Sequence, residues 1–161
     1  MKTKTKLLIG AAAISSVIVG LAWATPIFNL AAPVLATGND NSNIEAHGGF
    51  GDFKANLTTE GPSTIFVQDV AYSPGGHTGW HSHPGVLTLA LIAGTVEWYN
   101  GNCELTTYNA GDAWTEGSQL HYFRNVGTVN VHLMATYIIA EGAHPRIDRP
   151  APACAAALGL D

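Results

Sequence analysis

The chain has few charged residues, and fewest of all are basic. Of its 161 residues 12% are charged, with seven Lys and Arg against twelve Asp and Glu. Nucleic-acid-binding proteins need a basic surface to attract the phosphate backbone. Beyond the N-terminal segment the basic residues are Lys54, Arg124, Arg146 and Arg149, which are scattered along the sequence. We therefore expect no nucleic acid as a partner.

The sequence also lacks the motifs of several large enzyme classes. It contains no G-x-S-x-G nucleophile elbow, no phosphate-binding Gly-rich loop and no dinucleotide-binding G-x-G-x-x-G. No pair of carboxylates is obviously arranged for glycoside hydrolysis. These absences argue against nucleophilic hydrolases, nucleotide-dependent enzymes and glycosidases.

Cysteine is scarce, with only Cys103 and Cys154 present. In a protein outside the cytoplasm an even pair predicts a disulfide, which here would tie a mid-chain turn to the C-terminal tail. Two free thiols are the alternative. A thiolate metal site is less expected, because neither cysteine lies near the histidine cluster in sequence.

The N-terminus has the organisation of a secretory signal peptide. Three lysines within the first six residues precede an uncharged apolar run over residues 7–21, and Ala22-Trp23-Ala24 follows as a small-x-small cleavage site. We predict a signal peptide over 1–24 and export to the bacterial periplasm or exterior. The alternative is an uncleaved membrane anchor, since the run approaches the roughly 20 residues that span a bilayer. Cleavage would change the net charge from −5 to −8.

The remaining chain divides into three predicted parts. Residues 25–49 are interpreted as a leader or flexible linker, because residues 39–43 are polar and turn-forming. Residues 50–144 are predicted to form the folded β-domain. Residues 145–161 are a Pro- and Ala-rich tail, expected to run over the surface in extended form, with 153–158 as its one helical candidate.

Short apolar runs separated by Gly, Pro and Asn dominate the central part. They are rich in Val, Ile, Thr and aromatic residues and recur about every 8–12 residues, which is typical of an all-β sandwich or barrel. The predicted strands cover residues 64–72, 86–93, 95–99, 113–115, 121–124 and 129–140.

Histidines supply the most informative pattern. His81 and His83 are two residues apart, so on a strand both imidazoles point to one face. His121 from a later strand could complete a metal site on that face, because neutral imidazole is a common metal ligand. The alternative is that these histidines only form hydrogen bonds to the backbone.

Apolar and aromatic residues near the histidines predict a ligand pocket. Leu87 and Leu89 share a strand face by period two and would form an apolar wall, while Trp80 and Phe123 could line the mouth. Ordinary core packing is the alternative for each of them.

The histidine region resembles the first motif of the cupin superfamily, G-x5-H-x-H-x3-E-x6-G. Gly75, His81, His83 and Gly94 stand at the required offsets, and Leu87 occupies the position of the ligand Glu. The departure at Leu87 removes the usual carboxylate ligand. The resemblance therefore implies a site of three histidines.

A later region is similar to the second cupin motif, G-x5-P-x-G-x2-H-x3-N. Gly111, His121 and Asn125 match, but the interval before His121 is one residue shorter, the Pro is missing and Ser118 replaces the second Gly. The resemblance covers about residues 34–154 and implies a small, exported, single-domain jelly-roll β-barrel.

The resemblance also implies a function and its alternative. A cupin with His81, His83 and His121 as ligands would bind one divalent transition metal. Fe is the first candidate, and Zn, Ni and Cu are the alternatives. The missing carboxylate argues against Mn. It would be a metal-dependent dioxygenase or isomerase of a small organic molecule. The alternative is a non-catalytic, metal-free cupin that binds a small ligand. Either function is compatible with a homodimer. Association with a membrane is expected only if the signal segment is not cleaved.

Four other side chains are candidates to replace the missing carboxylate. They are Glu97, Glu116, His77 and His132. For each of them we expect a surface or hydrogen-bonding role. Glu116, beside a predicted turn, is expected to face solvent or to orient His121 from outside the ligand set.

Overall fold

The computed structural model describes residues 24–161, and strands make up most of them. The predicted signal peptide lies outside this range except for Ala24 and stays a prediction. Within residues 24–161 no helix is long and apolar enough to cross a membrane. One short 3-10 helix, Ala156–Leu158, lies inside the tail segment predicted as the helical candidate.

The described part of the chain contains thirteen strands. In chain order they are β1 (Phe28–Ala31), β2 (Val34–Asp40), β3 (Glu45–Phe50), β4 (Phe53–Thr58), β5 (Ser63–His77), β6 (His81–Ser82), β7 (Val86–Ala93), β8 (Thr95–Asn100), β9 (Leu105–Asn109), β10 (Ala113–Glu116), β11 (His121–Arg124), β12 (Val131–Ala140) and β13 (Ile147–Asp148). The predicted all-β class is confirmed, and each predicted strand has a counterpart.

The long strand β5 organises the barrel. It pairs antiparallel with β12 over ten residues, and β12 continues to β7 and then β10. Its other edge receives β2, β1 and the end of β11. Strand β11 also pairs with β6 and β8, so a single sheet of eleven strands curves into a jelly-roll barrel.

Alternating burial explains why these segments form a barrel around one core. In β7 and β12 buried residues alternate with exposed or half-buried ones, as expected of strands with one face on a core. Aliphatic and aromatic side chains fill the interior. They include Phe66, Val70, Tyr72, Leu87, Leu89, Leu91, Val96, Trp114, Phe123, Val131, Leu133, Tyr137 and Ile139.

Residues 25–49, interpreted above as a leader or flexible linker, contain strands in the structure. Strands β1 and β2 fall in this range and pair with β5, and β3 forms a separate hairpin with β4. Asn39 and Asp40, taken as loop-forming, pair with Thr64 and Ser63. Edge pairing uses backbone groups, so polar side chains that favour turns do not prevent it.

The C-terminal tail is also more ordered than the extended surface segment expected from its prolines. Strand β13 pairs with β6, the strand that carries His81. Ala155 and Leu160 are buried against Trp80, whose indole Nε1 donates a 2.7 Å hydrogen bond to the Leu160 carbonyl. Small and aliphatic residues that follow the last proline thus dock this segment on the barrel.

A disulfide joins Cys103 to Cys154. It links the turn after β8 to the tail across a sequence separation of 51 residues. No free cysteine remains in the described chain, residues 24–161. The bond therefore fastens the C-terminal segment to the wall of the barrel.

Loss of this disulfide should destabilise the protein measurably. A Cys103→Ser, Cys154→Ser double variant should lose about 4 kcal/mol of unfolding free energy, because the unfolded chain gains loop entropy. Urea unfolding measures this change. Dithiothreitol should lower the wild-type midpoint similarly and leave the double variant unaffected. Equal midpoints for the variant and the oxidised protein would contradict the prediction.

Candidate metal centre

Strand pairing brings the three predicted histidines together. His81 and His121 are direct partners in the β6–β11 ladder, and His83 follows β6 by one residue. The ring centroid of His121 lies 4.2 Å from that of His81 and 5.1 Å from that of His83. All three side chains are buried. Gly79 enters β6 with φ of +67°, where a Cβ would collide with the Thr25 carbonyl, so the approach requires glycine.

Glu116 joins the histidines, contrary to the expectation that it would face solvent. It is 7% exposed, and the ligand atoms of the four residues lie within 4.8 Å of one another. Alternation along β10 places Trp114 and Glu116 on its buried face. In the β10–β7 ladder Glu116 is the direct partner of Leu87. The neighbouring strand thus brings a carboxylate to the place where Leu87 cannot provide one.

Backbone carbonyls orient all three imidazoles in the same way. Each Nδ1 lies at hydrogen-bond distance from a carbonyl oxygen, which only accepts, so Nδ1 carries the proton. The lone pair of a neutral ring is then on Nε2, ready to bind a metal. The pairs are His81 with Gly79 (3.0 Å), His83 with Pro145 (2.7 Å) and His121 with Gln119 (2.8 Å).

The free imidazole nitrogens converge on one carboxylate oxygen. Nε2 of His83 and Nε2 of His121 lie 3.4 and 3.2 Å from Oε2 of Glu116, without the alignment of a hydrogen bond. Both nitrogens are buried and have no other partner. Buried polar atoms without partners are costly, so this cluster fits a metal ion that would satisfy them.

Two tryptophans hold the other oxygen of Glu116. The indole Nε1 of Trp98 and that of Trp114 donate hydrogen bonds of 2.9 and 3.0 Å to Oε1. Oε2 is left facing the histidines. Outer partners of this kind fix the orientation of a metal ligand.

The site is electrostatically prepared for a cation. Burial, followed by the charges of His121 and Arg146, holds the pKa of His81 well below its usual range, so this ring stays neutral at pH 7. Burial opposes ionisation of Glu116, yet the charge of His121 and the indole hydrogen bond from Trp114 hold the pKa of this carboxyl well below its usual range. The cluster therefore presents a carboxylate beside an imidazole lone pair.

A cavity of about 210 Å³ adjoins the cluster. His81, His83 and Glu116 line it, together with the predicted pocket residues Leu89 and Phe123. Apolar side chains and two tyrosines form most of the remaining wall. They are Ile27, Leu30, Ala32, Val70, Tyr72, Leu133, Ala135 and Tyr137.

Leu87 and Trp80, also predicted for the pocket, do not line this cavity. Leu87 is 1% exposed and packs in the core, between Glu116 and Tyr137 in the sheet. Trp80 directly precedes His81, so its side chain points to the opposite face of the strand. There it packs with Tyr99 and the C-terminal segment.

Comparison with known families agrees with this architecture. Residues 68–137 match the Cupin domain family, Cupin_2. The barrel is a cupin. The match begins inside β5 and ends inside β12, so it contains His81, His83, Glu116 and His121. No curated protein matches the chain significantly.

The same fold is found in a solved structure with which this chain superposes over most of its length. A cupin-2 domain from Rhodospirillum rubrum superposes with a TM-score of 0.55 at 19% identity, covering 88% of this chain and 80% of that one. An uncharacterized double-stranded β-helix protein from Klebsiella pneumoniae gives 0.44 at 22% identity, with 68% and 85% covered. A predicted oxalate decarboxylase from Thermotoga maritima gives 0.41 at 18% identity, with 50% and 83% covered.

Two features of the sequence could have revealed Glu116. Period-two alternation through residues 113–116 places it on the face of Trp114, a natural core residue. Counted back from His121, Glu116 also stands where the second cupin motif has its proline. The adjacent Gly117 predicts a turn, and a turn gives no indication that the preceding side chain points inward.

The other three candidates lie outside the cluster. The Glu97 carboxylate accepts a 2.8 Å hydrogen bond from Arg124. His132 pairs with Asp69 on the outer side of the sheet. His77 stacks against two neighbouring aromatic rings, those of Phe28 and Tyr122.

The coupling between Glu116 and His121 should be measurable after removal of any metal. Burial lowers the pKa of His121, but the carboxylate outweighs it and raises that pKa above its ordinary 6.5. The raised pKa of His121 therefore stabilises the folded state. This stabilisation is complete below pH 6.5 and is lost as pH rises through the folded pKa of His121. The depressed pKa of Glu116 also stabilises the folded state. This stabilisation is present above the ordinary pKa of 4.5 and is lost as pH falls through the folded pKa of Glu116.

NMR titration of the His121 ring in chelator-treated protein tests this prediction. In a Glu116→Gln variant the pKa of His121 should fall below 6.5, because burial then acts without the carboxylate. Glu97→Gln is the matched control and should leave the titration unchanged. An unaltered His121 titration in Glu116→Gln would contradict the coupling.

Proposed function

We propose that this cupin is a metal-dependent enzyme acting on a small organic molecule. One divalent transition metal would bind to Nε2 of His81, His83 and His121 and to the Glu116 carboxylate. The observation that supports this proposal is that Nε2 of His83 and Nε2 of His121 are buried without a partner beside Oε2 of Glu116. Backbone carbonyls already orient both rings. Such preorganisation is costly for folding alone and is explained by a cation.

The ligand set guides the choice of metal. Three imidazoles and one carboxylate suit Fe, Mn, Zn, Ni or Cu, with the carboxylate favouring the harder ions. The sequence argument against Mn depended on a missing carboxylate, and Glu116 removes that argument. Fe remains our first candidate, with Mn added beside it.

The proposed reaction is an oxygenation or an isomerisation. Bound in this site, a redox-active or Lewis-acidic ion would supply oxygen activation or polarisation of a substrate oxygen. The chain's own contribution is to orient the ligands and to enclose the substrate. The leucine and aromatic walls exclude water, which strengthens electrostatic contacts inside the cavity.

A non-catalytic ligand-binding cupin is the second candidate function. The apolar cavity would bind a small molecule in either case, and the histidines would then act as hydrogen-bond partners. Metal content separates the two candidates.

We also propose that the protein is exported. The N-terminal sequence pattern supports this, and so does the Cys103–Cys154 disulfide, because such bonds persist mainly in oxidising compartments.

Elemental analysis of residues 25–161, purified without chelator or nickel affinity, is the direct test. About one transition-metal ion per chain is expected from four convergent ligands. His83→Ala should lose it, because one ligand is removed. His132→Ala, which removes a histidine from the outer sheet surface, is the matched control and should retain it.

Two outcomes would contradict the metalloenzyme proposal. One is a folded wild-type protein with metal far below stoichiometric that takes up none on titration. The other is equal metal content in His83→Ala and wild type. The first would leave the ligand-binding alternative.

Trp98→Phe should weaken metal binding without removing a ligand. It deletes one of the two N–H donors to Oε1 of Glu116, and losing such an outer partner typically costs about 10-fold or more in affinity. Competition with a chelator measures the change. Trp80→Phe is the control, since its indole donates to the Leu160 carbonyl instead. Similar losses in both variants would indicate general destabilisation and contradict the positioning role.

A further inference from the structure

A single arginine lines the cavity beside the metal cluster. Arg146 comes from the segment between β12 and β13, and its side chain is 16% exposed. Nη2 donates a 2.7 Å hydrogen bond to the Thr78 carbonyl, and Nε donates one of 2.5 Å to Asp148. These two bonds fix the plane of the guanidinium. They leave Nη1 and part of Nη2 for another acceptor.

Arg146 brings a positive charge to the wall of the cavity. Its partner Asp148 is 60% exposed, so water and salt screen that carboxylate. The Arg146 side chain is mostly buried, so its own charge is screened less than that of Asp148. The cavity therefore has, beside the metal cluster, one side that favours an anion.

Two phenol groups add hydrogen-bond donors to the same cavity. Tyr72 and Tyr137 both line it, and among the described residues neither hydroxyl has a hydrogen-bond partner. Burial, followed by the charge of Glu116, raises the pKa of both groups, so they keep their protons at neutral pH. Each can donate to an acceptor oxygen of a ligand.

Most of the remaining wall is apolar, and its other polar members are Gln68, Thr78 and His144. Leu30, Val70, Leu89, Phe123 and Leu133 contribute to it. A ligand that satisfies all sides needs one anionic, planar end and an apolar body of modest size. A carboxylate can accept two parallel hydrogen bonds from the Nη1 and Nη2 end of the guanidinium, and one arginine provides for one carboxylate.

We propose that the substrate class of this site is a small monocarboxylate with an apolar body, bound through its carboxylate by Arg146. The inference rests on the proposed function only in taking this cavity as the substrate site. Arg146 is thereby a specificity-determining residue supplied by the C-terminal segment.

Calorimetric titration with benzoate and with its neutral isostere benzamide tests the proposal. Metal content is measured on each sample of the purified protein. The wild type should bind benzoate at least about tenfold more tightly than benzamide, as a charge-assisted pair implies. Arg146→Gln should reduce this preference to near one while keeping the metal content. Arg149→Gln is the matched control: its Nε donates to the Ser82 hydroxyl, it does not line the cavity, and the preference should persist.

The outcomes separate this proposal from the metal site. Absence of a benzoate preference in the wild type, or a preference that survives Arg146→Gln, would overturn the carboxylate class even if metal is present at one per chain. A preference lost only in Arg146→Gln, in protein that binds no metal, would support the carboxylate class and refute the metal centre. Arg146→Lys keeps the charge without the planar fork and should retain part of the preference.

Discussion

The candidate site depends on one repeated interaction, the hydrogen bond between imidazole Nδ1 and a backbone carbonyl. It occurs at His81, His83 and His121, and in each ring it turns the Nε2 lone pair toward the same point. Without it three imidazoles could rotate and interact with one another or with Glu116 in several ways. Because the carbonyls belong to the backbone, the orientation of the site follows from the course of the chain itself.

That dependence links the site to the C-terminal segment. The acceptor for His83 is the Pro145 carbonyl, and the next residue, Arg146, lines the cavity. The segment is held on the barrel by pairing of β13 with β6 and by the Cys103–Cys154 bond. One stretch of chain therefore orients a proposed ligand, forms part of the cavity wall and carries its arginine.

Much of the fold was predictable, and the reason is local. Short runs of aliphatic, β-branched and aromatic residues over 86–93 and 121–124 predicted strands that the structure contains with the same bounds. The two-residue spacing of His81 and His83 predicted their convergence. The strands within residues 25–49 and the docking of residues 145–161 were not predicted, because backbone pairing and a disulfide hold segments whose side chains favour turns. Such long-range contacts leave no periodic signal in the sequence.

Glu116 shows why motif position is an incomplete guide to a ligand set. A metal requires a carboxylate oxygen at a point in space, whereas a motif specifies a residue along the chain. In an antiparallel sheet directly opposed residues project to the same face with Cβ atoms about 5 Å apart, so either can deliver a side chain to nearly the same place. Leu87 and Glu116 are such a pair. The loss of a carboxylate from one strand and its presence on the next are therefore compatible with an intact four-ligand site, and Leu87 then serves as packing beneath it.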